Sequence, residues 1–165
     1  MPKLDLASAP VKTGSIYPEP YAAQMAGRSS RSLGALAGLT QFGVNLVTLQ
    51  PGAPASLRHW HLKEDEFAIV LSGALILVED DGETVMQPGD CAAWKAGVPN
   101  GHRFVNRSSA PASFLVVGTS AEDEVATYSD IDMKIHMGGG KPRFTYHDGS
   151  AWTGHRDLAP KGDTE

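Results

Sequence analysis

The chain has 165 residues, which fits one domain with short extensions, and its 41% of hydrophobic residues is enough for a sizeable core. A formal net charge of −5 argues against nucleic acid as a partner, because a phosphate backbone demands a basic face. Cys91 is the one cysteine, which excludes a disulfide framework within the chain, and its expected role is a small buried hydrophobe.

The first residues, Met1-Pro2-Lys3-Leu4-Asp5, carry no apolar signal-like segment, and no run approaches the ~18 apolar residues of a membrane helix. The expectation is a cytoplasmic protein with no membrane partner. Residues 1–40 read as an arm. Pro2, Pro10, Pro18 and Pro20 interrupt any long helix, and only a short helix within 21–39 is expected.

Residues 42–50 alternate in the manner of a strand and stop at Pro51-Gly52. Strand-like runs and turn signals then follow each other closely. The runs 57–62 and 66–71 come first, the second closed by Ser72-Gly73. Run 74–78 ends at the hairpin signal Asp80-Asp81-Gly82, and run 83–87 at Pro88-Gly89. Run 91–94 leads into a glycine-bounded loop at 97–101, and runs 102–106 and 112–118 close the series. Many short strands with no sustained helical period predict an all-β sandwich or barrel over 41–120 rather than a βαβ unit. The extension 121–165 is more polar and is expected to pack on the barrel. Within it Gly138-Gly139-Gly140 reads as a flexible joint, and Phe144-Thr145-Tyr146 as a strand or strap.

His59-Trp60-His61 is the first group with chemical content. Side chains two apart on a strand share a face, so both imidazoles point the same way. Glu66 lies at an odd offset, and a turn at 63–65 would bring it back to that face. His102 arrives after several strands, and an antiparallel barrel can lay a late strand beside an early one. Imidazoles with one carboxylate suit a divalent transition metal such as Zn, Mn, Fe or Ni, and a mixed nitrogen and oxygen set is typical of sites that leave a position open. A lone His-x-His pair proves little, and Glu64-Asp65-Glu66 alone would be a solvated acidic turn. The signal becomes specific in a longer pattern.

That pattern resembles the two cupin motifs. From Gly52 the chain runs six residues to His59-x-His61, four more to Glu66 and six more to Gly73, against an expected five before the first histidine. The stretch 89–106 resembles the second motif at Gly89, Gly97, His102 and Asn106. Lys95 replaces its proline, and the loop before His102 is longer, with Pro99 inside it. The wider chain is similar to a branch of small bacterial cupins labelled sugar-phosphate isomerases. The resemblance implies a double-stranded β-helix (jelly-roll) barrel and His59, His61, Glu66 and His102 as metal ligands. It also implies a homodimer, in which the arm 1–40 packs across a partner barrel and covers a sheet edge.

The functional expectation is isomerase- or epimerase-like chemistry on a small sugar or other hydroxy-carbonyl ligand, by proton abstraction beside a metal-bound carbonyl. Glu66 is the catalytic candidate, and Tyr17 and Tyr21 are further candidates for a base. Dioxygenase or lyase chemistry and a non-enzymatic small-ligand-binding role are the alternatives. Some cupin lyases carry tyrosine two residues after the ligand glutamate, where this sequence has Ala68. Strand alternation turns Arg58, Arg103 and Trp60 away from the ion and leaves Phe104 to wall the cavity. Asn106 is expected to cap a turn, and His136, His147 and His155 to be ordinary exposed residues.

Overall fold

The structure, a computed structural model, describes residues 3–158. Its N-terminal part holds strand β1 (Lys12–Thr13), the one-turn helix α1 (Tyr21–Gln24), strand β2 (Arg28–Ser32) and a second one-turn helix α2 (Leu33–Leu36). Then come β3 (Phe42–Leu49), β4 (His59–His61), β5 (Glu66–Ser72), β6 (Leu75–Glu79) and β7 (Gly82–Met86). The remaining strands are β8 (Cys91–Trp94), β9 (Arg103–Val105), β10 (Ala112–Thr119), β11 (Glu124–Tyr128), β12 (Lys134–Met137) and β13 (Arg143–Thr145).

One layer is a six-stranded sheet in the order β1-β2-β3-β10-β5-β8. The facing layer consists of a four-stranded sheet, β13-β12-β11-β4, and a three-stranded sheet, β7-β6-β9. These two meet where the backbones of His59 and His102 exchange hydrogen bonds of 3.2 and 2.9 Å. The result is an all-β jelly roll. Period-2 alternation supplies its core: Val47, Leu49, Ala68, Val70, Ala112 and Phe114 from the large sheet meet Leu75, Leu77, Met86 and Phe104.

The turn glycines behave as their positions require. Gly73 has φ +70°, and a Cβ there would lie 2.7 Å from the Ala112 Cβ and 2.9 Å from the Pro111 carbonyl oxygen. Both the backbone and the close approach of β10 therefore demand glycine. Gly138, Gly139 and Gly140, read as a joint, form the connection between the paired strands β12 and β13, all at positive φ.

The N-terminal segment departs from the expected arm. Strand β2 pairs with β3 of its own barrel, from Arg28 opposite Leu49 to Ser32 opposite Asn45. Tyr21 and Met25 are buried in a second apolar cluster with Leu57, Ala126, Tyr128, Met133 and Ile135. The segment thus covers a sheet edge within one chain, and it has a core to bury against. The short helix expected within 21–39 is two single turns flanking β2.

Cys91 is exposed rather than buried. Alternation on β8 turns Ala92 and Trp94 toward the core and Cys91 outward. Asn106 is fully buried and caps a turn as expected. Its amide donates to the carbonyls of Leu49 and Ala110, and its Oδ1 accepts from the Ser108 N–H. The tail histidines are less ordinary than expected. His136 and His147 are half-buried, bonded to Thr145 Oγ1 and to the Met133 carbonyl, while His155 is exposed.

Candidate metal centre

β4 presents His59 and His61 on one face, their ring centroids 4.9 Å apart, while Trp60 between them turns away. The connection 62–65 breaks the strand, so Glu66 opens β5 on the cavity side, in the facing sheet. Ligand atoms of His59, His61 and Glu66 all lie within 4.8 Å of one another. His102 comes in beside His59 through the backbone bridge, its ring 5.2 Å from that of His59, and its Nε2 lies 3.0 Å from Glu66 Oε2. The indole of Trp94 stacks on the His102 ring at 3.8 Å and 8°, which fixes its plane. All four expected residues are therefore brought together, with His102 attached mainly through Glu66.

The hydrogen-bond pattern bears on whether a metal fits. His59 Nδ1–H donates to the Leu57 carbonyl (2.9 Å), and His102 Nδ1–H to the Asn100 carbonyl (3.3 Å). Each imidazole is thus backed by the carbonyl two residues earlier, which leaves Nε2 as the free lone pair and is the usual outer arrangement of a metal-ligating histidine. An ionised carboxylate is acceptor-only. His102 Nε2 lies 3.0 Å from Glu66 Oε2, near enough for the two to be ligands of one ion. Burial pushes His59 down from the ordinary 6.5 to about 4, with the neighbouring His61 adding to the effect, so its imidazole is neutral at pH 7. Burial alone would raise the Glu66 carboxyl, but the His102 contact and the surrounding imidazoles outweigh it and hold Glu66 below the usual carboxylate range. A neutral His59 beside an ionised Glu66 is the protonation state a divalent ion needs of these two groups.

A carboxylate layer behind His61 lies outside the motifs. His61 Nδ1 is buried without a hydrogen-bond partner and lies 3.9 Å from both Glu64 Oε2 and Glu124 Oε1. Glu124 is buried, and its two oxygens accept from the backbone N–H groups of Leu62 and Lys63, at 2.7 and 2.8 Å. It thereby anchors the turn that resets Glu66. The alternation Glu124-x-Ala126-x-Tyr128 was the available signal: these three are the buried positions of β11, and Ala126 and Tyr128 sit opposite His61 and His59.

The four residues open into a cavity of about 780 Å³ whose walls also include Arg28, Ala68, Trp94, Phe104 and Tyr128. Of the two tyrosines proposed as bases, Tyr17 lines this cavity. Tyr21 instead packs against Trp152 and bonds His155. Tyr17 meets Tyr128 edge-on at 5.5 Å, and burial raises both phenols, so both hold their protons at neutral pH. Arg58, turned outward as expected, pairs with Asp80 and Asp130, and Lys95 is exposed.

The cupin-domain family matches residues 45–118. A crystal structure from Silicibacter pomeroyi, described as a sugar phosphate isomerase from the cupin superfamily, is 57% identical over 92% of this chain and 97% of its own, with a TM-score of 0.90. The chain belongs to the cupin superfamily. A proposed sugar phosphate isomerase from Acidithiobacillus ferrooxidans is 25% identical to this cupin over 73% of the chain and 77% of its own, with a TM-score of 0.69. The polyketide cyclase RemF from Streptomyces resistomycificus shares the cupin fold at 23% identity and a TM-score of 0.58, over 73% of this chain and 80% of its own. No protein of curated function matches the cupin's sequence. Among the described residues, no helix is long and apolar enough to cross a membrane.

Proposed function

We propose that this cupin is a divalent-metal-dependent isomerase or epimerase acting on a small hydroxy-carbonyl compound of the sugar class. The carrying observation is the convergence of His59, His61 and Glu66 within 4.8 Å, with His102 bonded to Glu66. The likeness to a structure described as a sugar phosphate isomerase, at 57% identity, supports the substrate class. His59, His61, Glu66 and His102 would hold the ion, which when bound would polarise the substrate carbonyl and so acidify the neighbouring C–H.

The remaining work falls to side chains around it. Glu66, ionised and half-buried, accepts the carbon-bound proton. Tyr17 and Tyr128, both protonated, donate hydrogen bonds to the substrate oxygens as charge shifts onto them. Phe104 and Phe114 exclude water from the inner wall.

Isomerisation through proton abstraction leaves a solvent-exchange signature. In deuterium oxide, metal-loaded protein is expected to place deuterium on the carbon beside the carbonyl of an aldose or ketose substrate, as read by proton NMR. Glu66→Gln is expected to abolish it. Oxygen consumption or decarboxylation without exchange would replace this reading with the oxidative or lyase alternative, and binding without any exchange would leave a ligand-binding cupin.

We further propose a homodimer, with a different interface from the one expected at first. β2 already covers the edge of its own β3, whereas the outer face of the large sheet is apolar and uncovered. Leu115 stands between Leu46 and Ile69, and Val117 between Val44 and Phe67. Phe67 is 42% and Leu71 47% exposed. A contiguous apolar face of this kind fits a second copy of the same face. Sedimentation of the parent is expected to give a dimer at micromolar concentration and of Phe67→Asp/Leu115→Asp a folded monomer; a monomeric parent would overturn the proposal.

A further inference from the structure

Strand β2 carries a row that the metal chemistry does not use. Arg28, Ser30 and Ser32 alternate on one face of β2, and all three line the cavity that contains the metal ligands. Arg31, between them, turns the other way and donates to the carbonyls of Leu6 and Ala9. Asn45, opposite Ser32 on β3, also lines the cavity.

Arg28 is half-buried, yet among the described residues no carboxylate lies within ion-pair distance of it. Three other arginines are matched by carboxylates, while Arg103, on the same cavity wall, also has none among the described residues and keeps its Nε buried without a partner. Arg58 pairs with Asp80 and Asp130, Arg107 with Glu83, and Arg156 with Asp132 and Asp148. Burial pulls the Arg28 guanidinium below its ordinary range, and only the nearby Tyr17 hydroxyl opposes that. A guanidinium withdrawn from water without a counter-charge is costly unless something else supplies the charge. In a chain of net charge −5, surplus carboxylates are available, and none is placed here.

We propose that Arg28, with Ser30 and Ser32 beside it, is the subsite for an oxyanion group of the substrate, a phosphate ester or a carboxylate. This rests on the reading of the cavity as the substrate site and adds that the substrate is an anion. The planar fork of a guanidinium matches two oxygens of either group, and neighbouring hydroxyls supply further donors. The metal ligands and Arg28 then hold opposite ends of one small molecule, the carbonyl end at Glu66 and the anionic end at β2.

The test uses three compounds of similar skeleton with metal-loaded protein: dihydroxyacetone, dihydroxyacetone phosphate and hydroxypyruvate. Calorimetric titration of the parent is expected to favour one or both anions over neutral dihydroxyacetone, and which anion wins identifies the group. Arg28→Gln is expected to weaken anion binding about 10- to 100-fold, the usual worth of charge-assisted hydrogen bonds. Dihydroxyacetone binding, metal content and the circular dichroism spectrum should be unchanged, and Arg28→Lys should restore part of the loss. A parent that binds neither anion better than the neutral compound overturns the proposal, as does an Arg28→Gln variant with an undiminished anion preference. An Arg28-dependent preference without hydrogen exchange on any of the three supports the subsite while counting against the isomerase reading.

Discussion

His61→Ala is expected to lose its metal. In protein purified from metal-supplemented culture, metal analysis should fall from near stoichiometric to background, with affinity lowered more than about 100-fold, beyond the effect of losing an outer partner alone. The reason is geometric. His61 Nε2 faces Glu66 Oε2 at 3.7 Å, and its Nδ1 faces Glu64 and Glu124 at 3.9 Å. Removing the ring deletes a ligand and leaves three carboxylates around a gap, whose repulsion raises their affinity for protons over metal. His102→Ala should behave similarly, since its Nε2 is within 3.0 Å of Glu66. Both variants should stay folded, because the apolar core of Val47, Leu49, Val70, Leu75 and Phe104 is separate from these rings. Full metal stoichiometry in both would refute the assignment.

The second large effect is on stability against pH. Burial depresses His59 from 6.5 to about 4 in the folded protein, so the unfolded chain takes up that proton first as pH falls. Stability is then fully present above pH 6.5 and declines toward pH 4, by on the order of 3 kcal/mol from this residue. The lowered Glu66 carboxyl acts in the same direction at still lower pH, since its contribution is lost when it protonates. Urea titrations of chelator-treated protein should show the slope, and His59→Gln should flatten it between pH 4 and 6.5. Metal-loaded protein should show a steeper decline, because protons then also compete with the ion. A metal-free parent with no slope in this window would mean that His59 is not held neutral.

Much of the central barrel was legible because β3, β5 and β10 are strand-length apolar runs and turn signals with glycine follow β3 and β5. Gly52, Gly73, Gly89 and Gly97 all adopt positive φ. The convergence of His59, His61 and Glu66 was legible because His-x-His places two rings on one strand face and the turn after it lets the glutamate return to that side. The N-terminal segment was not. Arg28-Ser29-Ser30-Arg31-Ser32 has no apolar alternation, so nothing in the pattern announced a strand with a cavity face. Glu124 was hidden in a polar extension, since an acidic residue beside Glu122 and Asp123 reads as solvated until the N–H groups of Leu62 and Lys63 are seen to donate to it. Cys91 misled because cysteine is commonly buried, and its place depended on the register of a four-residue strand.

The seam between the two small sheets has a consequence for how the barrel opens. β4 and β9 are short, three residues each, and they meet at the His59–His102 bridge, while Glu66 projects from the opposite layer. An ion held by these groups would cross-link both halves of one layer and tie that layer to the other. Chelation would then act unevenly on amide hydrogen exchange. The protons of His59 and His102 would trade with solvent far faster, while the long β3–β10 ladder, eight paired residues deep, would keep its protection. Local breathing at the mouth of the cavity, and with it the rate at which small molecules come and go, would be governed by how tightly the metal is held.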